Sequence, residues 1–363
     1  MDAAFAPDGP LALALPGFEA RSGQLEMADA VSGIFADGGV LLAEAGTGTG
    51  KTLAYLIPAI LSRQRVLVST GTKNLQEQIF YKDLPVLRDS LGVKFTAAYM
   101  KGRGNYLCLH RFDAYKEGGS AQSLGFTRDE SLYIRLIDIW RRETETGDRS
   151  ELEDLPEDLP FWKDIAASSE NCIGTECPQY QECFVTRMRQ RAAESDIVIV
   201  NHHLLCADAA VRRSDYGEVI PTCKHAVIDE AHQLEDVATQ YFGIAVSNYR
   251  IDDLARDMDR ALGANLVPDR DRADGLRDDT ERLRDNARAF FAALQLIRFE
   301  APGTAGSESR IRIGSAHTLK VADEGAALVR AIEAFEADIA LARDVPPDVV
   351  ALGARAADLR KDT

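Results

Sequence analysis

No stretch of this 363-residue sequence is apolar for long enough to cross a bilayer, and its start, MDAAFAPDGPLALALPGF, lacks the basic residues of a secretory leader. Prolines break the short apolar run found there. The expectation is a chain that works in a reducing cytoplasm, with no membrane partner. Cysteine is scarce too, at six residues. In that compartment so few thiols argue against a disulfide framework and for metal ligation. Basic residues are outnumbered, 42 Lys and Arg against 58 Asp and Glu, for a formal net charge of −16. That balance opposes a phosphate-rich partner unless the charges are unevenly placed. They are. Glu143–Asp158 holds eight acidic residues against one arginine, Arg149, whereas KGRGNYLCLHR (Lys101–Arg111) and RMRQR (Arg187–Arg191) are locally basic. No internal repeat is evident.

What is present reads as a soluble α/β chain, long enough for two or three domains. The apolar runs Val40–Ala43, Val66–Ser69, Phe95–Tyr99, Ile197–Val200 and Ala226–Ile228 predict buried parallel strands. Leu53–Ser62 and Asn74–Leu84 predict the first crossover helices. The third and fourth strands stand almost 100 residues apart, too far for a loop, so a further module is inserted there. Beyond about Tyr249 the pattern turns helical. Leu276, Leu283, Phe290 and Ile297 recur every seven residues, with Ala287 and Leu294 on the same face, and Leu328, Ile332, Phe335 and Ile339 repeat the spacing. The segment APGTAGSESR between these stripes predicts a flexible connection.

The strongest motif is AEAGTGTGKT, Ala43–Thr52, between a predicted strand and a predicted helix. Gly46, Gly48 and Gly50 let the backbone curl so that its N–H groups, with those of Ala45, Thr47 and Thr49, converge on the phosphates of ATP. Lys51 reaches the β- and γ-phosphates, and the Thr52 hydroxyl takes a place on Mg²⁺. Ala45 stands where the strict pattern has glycine. The metal needs a second strand end carrying carboxylates, and AVIDEAH, Ala226–His232, supplies one. Asp229 would hold Mg²⁺ and Glu230 would polarise the attacking water, with His232 closing the catalytic set.

Three cysteines fall within the twelve residues Cys172–Cys183, and a fourth precedes them at Cys108, in the pattern C-x63-C-x4-C-x5-C. Four thiolates suit either a [4Fe–4S] cluster or a tetrahedral zinc ion. Spacing alone leaves both open, although Cys108 lacks the close companion usual in a zinc knuckle. Cys206 and Cys223 read as ordinary buried thiols.

Asp229-Glu230-Ala231-His232 resembles the DEAH box of superfamily 2 helicases. Arg21 and Gln24, with Met27, resemble the adenine-side motif ahead of the phosphate loop in the DinG/XPD helicases. Ser69–Gln78 (STGTKNLQEQ) and Val200–Leu205 (VNHHLL) resemble two further motifs of that family. The likeness runs from Arg21 to about Gly243. It implies a RecA-like first motor domain over 1–100 and 196–248, an inserted iron–sulfur domain over 101–195, and an incomplete arch-like helical region over 249–363. Cys108, Cys172, Cys177 and Cys183 would then hold a 4Fe–4S cluster. It also implies single-stranded and forked DNA as partners, 5′→3′ movement and a place in DNA repair. Ser69, Thr70, Thr72, Lys73 and Asn74 offer contacts to a single strand, as do Arg103, Asn105 and Tyr106 and the arginines 187, 189 and 191. Arg135, Arg141 and Arg142 read as solvated charges. The family's second motor domain, with its arginine finger, has no counterpart in this sequence and would have to come in cis or in trans. Two readings follow: the N-terminal portion of an ATP-dependent DNA helicase, or a short non-catalytic DNA-binding or regulatory module.

Overall fold

A computed structural model describes residues 1–363 apart from 16, 47, 122–126, 157–158, 160, 169–170, 214–217, 243–245 and 301–313. It divides into two compact units. One comprises Met1–Tyr106, Thr144–Leu152 and Gln181–Gly243; the other comprises Leu107–Glu143, Glu153–Tyr180 and Ile244–Thr363. The stretch 101–195 thus contributes to both.

The first unit is built on β1 (Val66–Thr70), β2 (Ala97–Tyr99), β3 (Ile197–Asn201) and β4 (His225–Ile228), in a parallel sheet of order β2-β3-β1-β4. The runs VLVST and IVIVN suit its centre, since apolar and mainly β-branched residues fit strands covered on both faces. Every residue of β1 and β3 is buried. Helix α1 (Ser22–Asp37) buries Ala28, Val31 and Phe35. It packs with α2 (Lys51–Leu61), which is buried continuously from Ala54 to Ile60. These side chains, with Val66, Val68, Ile197 and Ile199, form one apolar core. Helices α3 (Phe184–Ala193) and α4 (His202–Arg213) flank β3 in sequence.

One expected strand is missing. Val40–Ala43 is irregular, and Val40 and Leu42 are 86% and 93% exposed. An apolar run becomes a strand only when a neighbouring strand takes its hydrogen bonds. Here no backbone hydrogen bond engages residues 40–43 among the described residues.

In the second unit, α5 (Asn248–Gly263), α6 (Arg270–Glu300), α7 (Ala322–Leu341) and α8 (Pro347–Asp362) share a separate core. The heptad-spaced Leu276 and Leu283 are fully buried in it, with Leu328, Ile332 and Phe335 opposite. The Ser247 side chain accepts from the Arg250 N–H and starts α5. The expected connection at 301–310 lies outside the described residues. Among the described residues no helix is long and apolar enough to cross a membrane.

Candidate functional site

Gly50 closes the glycine-rich loop in the left-handed region (φ 80°, ψ 27°) and serves as the N-cap of α2. Gly48 also has positive φ, 78°. The positive φ calls for glycine at position 50, where a Cβ would also displace the Gln24 amide. Gln24 Nε2 donates to the Gly50 carbonyl at 2.9 Å, Thr49 Oγ1 donates to the Gly46 carbonyl at 2.9 Å, and Arg21 donates to the Gly48 carbonyl. Arg21 and Gln24 therefore brace the loop's own backbone. Lys51 and Thr52 open α2, so its positive end faces the loop. Thr47 lies outside the described residues.

Lys51 Nζ donates to the Ala45 carbonyl at 3.1 Å and sits 3.3 Å from Glu230 Oε1. Glu230 adopts a left-handed backbone (φ 54°, ψ 44°), uncommon outside glycine, at the turn directly after β4 and Asp229. The Asp229 N–H donates to the Ser69 carbonyl at 2.8 Å, extending the β1–β4 pairing by one residue. Tyr55 Oη, from inside α2, donates to Asp229 Oδ2 at 3.3 Å. Burial pushes the Asp229 carboxyl above the usual range and the Glu230 charge adds to this, while Tyr55 and Lys51 pull it down. His232 is largely exposed, with Nδ1 3.6 Å from Glu230 Oε2. Loop, lysine and both carboxylates thus occupy one end of the sheet, where α/β proteins bind ligands. Tyr55 was not evident from sequence, since a helix-interior tyrosine looks like any core aromatic.

The neighbouring strand end differs from the sequence expectation. Ser69 and Thr70 are fully buried and present no hydroxyl to a partner. Ser69 Oγ instead meets His202 Nδ1 at 2.7 Å, with His202 itself fully buried. Thr72, Lys73 and Asn74 are exposed, and Lys73 Nζ donates to Asn105 Oδ1 at 2.8 Å. Tyr106 is buried, its hydroxyl accepting from the Lys101 N–H at 3.1 Å, so its ring is not offered for stacking. Gly71 touches Gln233, whose side chain fills the place a Cβ would take. The turns after β1 and β4 therefore meet. Arg141 and Arg142 form ion pairs with Asp113 and Asp138 within the second unit.

Among the described residues none of the six cysteines is in a disulfide. Cys183 caps α3 in the first unit, whereas Cys108, Cys172 and Cys177 belong to the second. Cys172 is exposed and the other three are half-buried. Among the described residues no three His, Cys, Asp or Glu side chains gather as a metal-binding group. As a donor set, four thiolates suit a 4Fe–4S cluster. Cys206 is buried as expected; Cys223 is half-buried, and burial pushes its thiol up to about 11.

Residues 22–105 match the DEAD/DEAH box helicase family. The chain is 41% identical over 286 residues to the ATP-dependent DNA helicase YoaA of Escherichia coli, which covers 79% of this chain and 44% of that protein. It is 43% identical over 256 residues to YoaA of Haemophilus influenzae, covering 70% and 39%. To the ATP-dependent helicase DinG of Mycobacterium tuberculosis it is 35% identical over 310 residues, covering 79% and 43%. It spans less than half the length of each of these relatives. Over most of its own length, the chain is homologous to the YoaA and DinG helicases and carries part of a DEAD/DEAH box helicase domain.

Proposed function

We propose that this chain is the N-terminal portion of an ATP-dependent DNA helicase and that its sheet unit binds ATP with Mg²⁺. One observation carries the reading: Lys51, at the start of α2, stands 3.3 Å from Glu230, just past the end of β4. In this reading the loop N–H groups and Lys51 hold the triphosphate. Thr52 and Asp229 hold Mg²⁺, which screens the phosphate charge. Glu230 accepts a proton from the attacking water. The exposed Thr72, Lys73 and Asn74 serve a single DNA strand, together with Arg103, Asn105 and the arginines of α3. Forked DNA as substrate, 5′→3′ movement and a second motor domain in cis or in trans belong to the same proposal. So does the division into a motor domain over 1–100 and 196–248, an insertion over 101–195 and an arch over 249–363. Lys51→Ala is expected to abolish binding of a fluorescent ATP analogue while the fold survives, as seen by circular dichroism. Unchanged affinity overturns the phosphate-loop reading.

The cysteine spacing and the family resemblance support a 4Fe–4S cluster on Cys108, Cys172, Cys177 and Cys183, and no step is derived through it. Protein purified without oxygen should be brown and contain iron with acid-labile sulfide in equal amounts. Zinc without sulfide refutes the cluster.

A further inference from the structure

The Thr52 hydroxyl and the Asp229 carboxylate, the two oxygen donors proposed for Mg²⁺, come from different elements, yet one side chain meets both. Tyr55 stands three residues after Thr52, on the same face of α2. It is 2% exposed, so packing fixes its ring within the apolar core. Its Oη donates to Asp229 Oδ2 at 3.3 Å and also faces the Thr52 side chain. The Asp229 backbone is pinned separately, by its N–H on the Ser69 carbonyl at 2.8 Å. What remains able to turn is the carboxyl group, with Glu230 and Lys51 also near it. Phenylalanine would fill the core at position 55 equally well, so the hydroxyl is not explained by packing.

A hydroxyl and a carboxylate are hard oxygen donors, the kind that Mg²⁺ requires. Carboxylates that ligate a metal are usually held by a further hydrogen bond, and losing it weakens metal binding by about 10–100-fold. Here that bond also limits which oxygens are on offer. An oxygen committed to the Tyr55 proton is a poor ligand, which leaves Asp229 a single oxygen for a cation or its water shell. Mg²⁺ takes single oxygens in a tight octahedron at about 2.1 Å, whereas Ca²⁺ accepts a carboxylate through both oxygens in a looser, larger shell.

We propose that Tyr55 is a positioning residue for the metal, and that by holding Asp229 Oδ2 it makes the site prefer Mg²⁺ to Ca²⁺. The inference rests on the reading of the glycine-rich loop and the end of β4 as a nucleotide site, and adds to it a determinant of cation choice. The role is indirect, through Asp229 and Thr52. Fixed relative to each other before any ligand arrives, the two donors need little rearrangement on binding. Phenylalanine at position 55 releases Asp229 to turn and to engage a cation through both oxygens, an arrangement that suits the larger ion.

The test is titration of a fluorescent ATP analogue with the 363-residue chain in MgCl₂, in CaCl₂ and in EDTA, for the wild-type and Tyr55→Phe proteins. Wild type should reach half-saturation at a lower concentration of Mg²⁺ than of Ca²⁺. Tyr55→Phe should reduce that preference by about tenfold. Affinity in EDTA, which depends on the loop and Lys51, should stay the same. Asp229→Asn should abolish the preference, and adding Tyr55→Phe to it should change nothing more, because the tyrosine acts through that carboxylate. The substitution keeps the ring and so keeps the core filled, and circular dichroism melts certify each variant as folded. An unaltered ratio of Mg²⁺ to Ca²⁺ affinity in Tyr55→Phe overturns the proposal. So does an equal loss in EDTA, which would make Tyr55 a support for the phosphate loop and not for the metal. Wild-type protein that binds no analogue in any of the three solutions overturns the nucleotide reading itself, and this inference falls with it.

Discussion

Lys101 is the residue whose environment departs furthest from its type. Its side chain is 3% exposed, and Nζ lies 2.7 Å from Asp148 Oδ2, 3.1 Å from Glu77 Oε1 and 2.9 Å from Ser150 Oγ. The charge also stands 4.9 Å from the centre of the Tyr99 ring. A buried ammonium survives only when its donors are matched in this way. Lys101→Met should therefore destabilise the sheet unit by about 3–5 kcal/mol, because it strands the buried Asp148 carboxylate without a counter-charge. Adding Asp148→Asn should recover part of that loss in urea denaturation. If Lys101→Met costs no more than a surface substitution, the network carries no weight. None of this was legible in KGRGNYLCLHR, which shows only a locally basic stretch. Sequence shows that Lys101 is charged, but its carboxylate partners, Glu77 and Asp148, lie 24 residues before it and 47 after it. By contrast, Lys51, Asp229 and Glu230 announced themselves through spacing, and they do stand together. Ser69, Thr70 and Tyr106 show the converse error: their chemistry suits DNA contact, but the fold buries them.

At the scale of elements, the helices Leu109–Ala121 and Arg128–Glu143 of the second unit are laced by one carboxylate. Asp138 lies 2.8 Å from Lys116 Nζ, 3.0 Å from Arg141 Nε and 2.7 Å from Arg142 Nη2. The hydrogen bond from Lys116 and the charges of Arg141, Lys116 and Arg142 hold its carboxyl below the usual range. A depressed folded value stabilises wherever the unfolded carboxyl is already ionised. The contribution is therefore present above about pH 4 and is lost as pH falls through the lower folded value. Water screens so accessible a group, so Asp138→Asn should cost about 0.5 kcal/mol at neutral pH, and the difference from wild type should vanish in strong acid. A constant difference across the acid range in calorimetric melts would remove the carboxylate from that account.

Strand placement was readable for β1 to β4 because apolar runs bounded by turn residues leave little choice once buried. Val40–Ala43 has the same composition but is irregular. Composition states a preference for extension, and only a hydrogen-bonding neighbour makes a strand. The helical stripes of α6 and α7 were readable for a simpler reason, since seven-residue spacing fixes which face turns inward regardless of partner.

For the whole molecule, fold class came through from sequence while the compact units did not. The inserted stretch gives Thr144–Leu152 to the sheet unit and Leu107–Glu143 to the helical one, a division that no change in composition marks. The order β2-β3-β1-β4 carries a consequence in time. The strand that joins β1 to β2 is β3, made roughly 100 residues after β2 is complete. At about 5–20 residues per second, a ribosome leaves β1 and β2 without their shared neighbour for roughly 5–20 s. During that interval two apolar strands, each with an open edge, trail from the translation machinery. Protection of those edges while the polypeptide is being born is a demand that the finished architecture itself imposes.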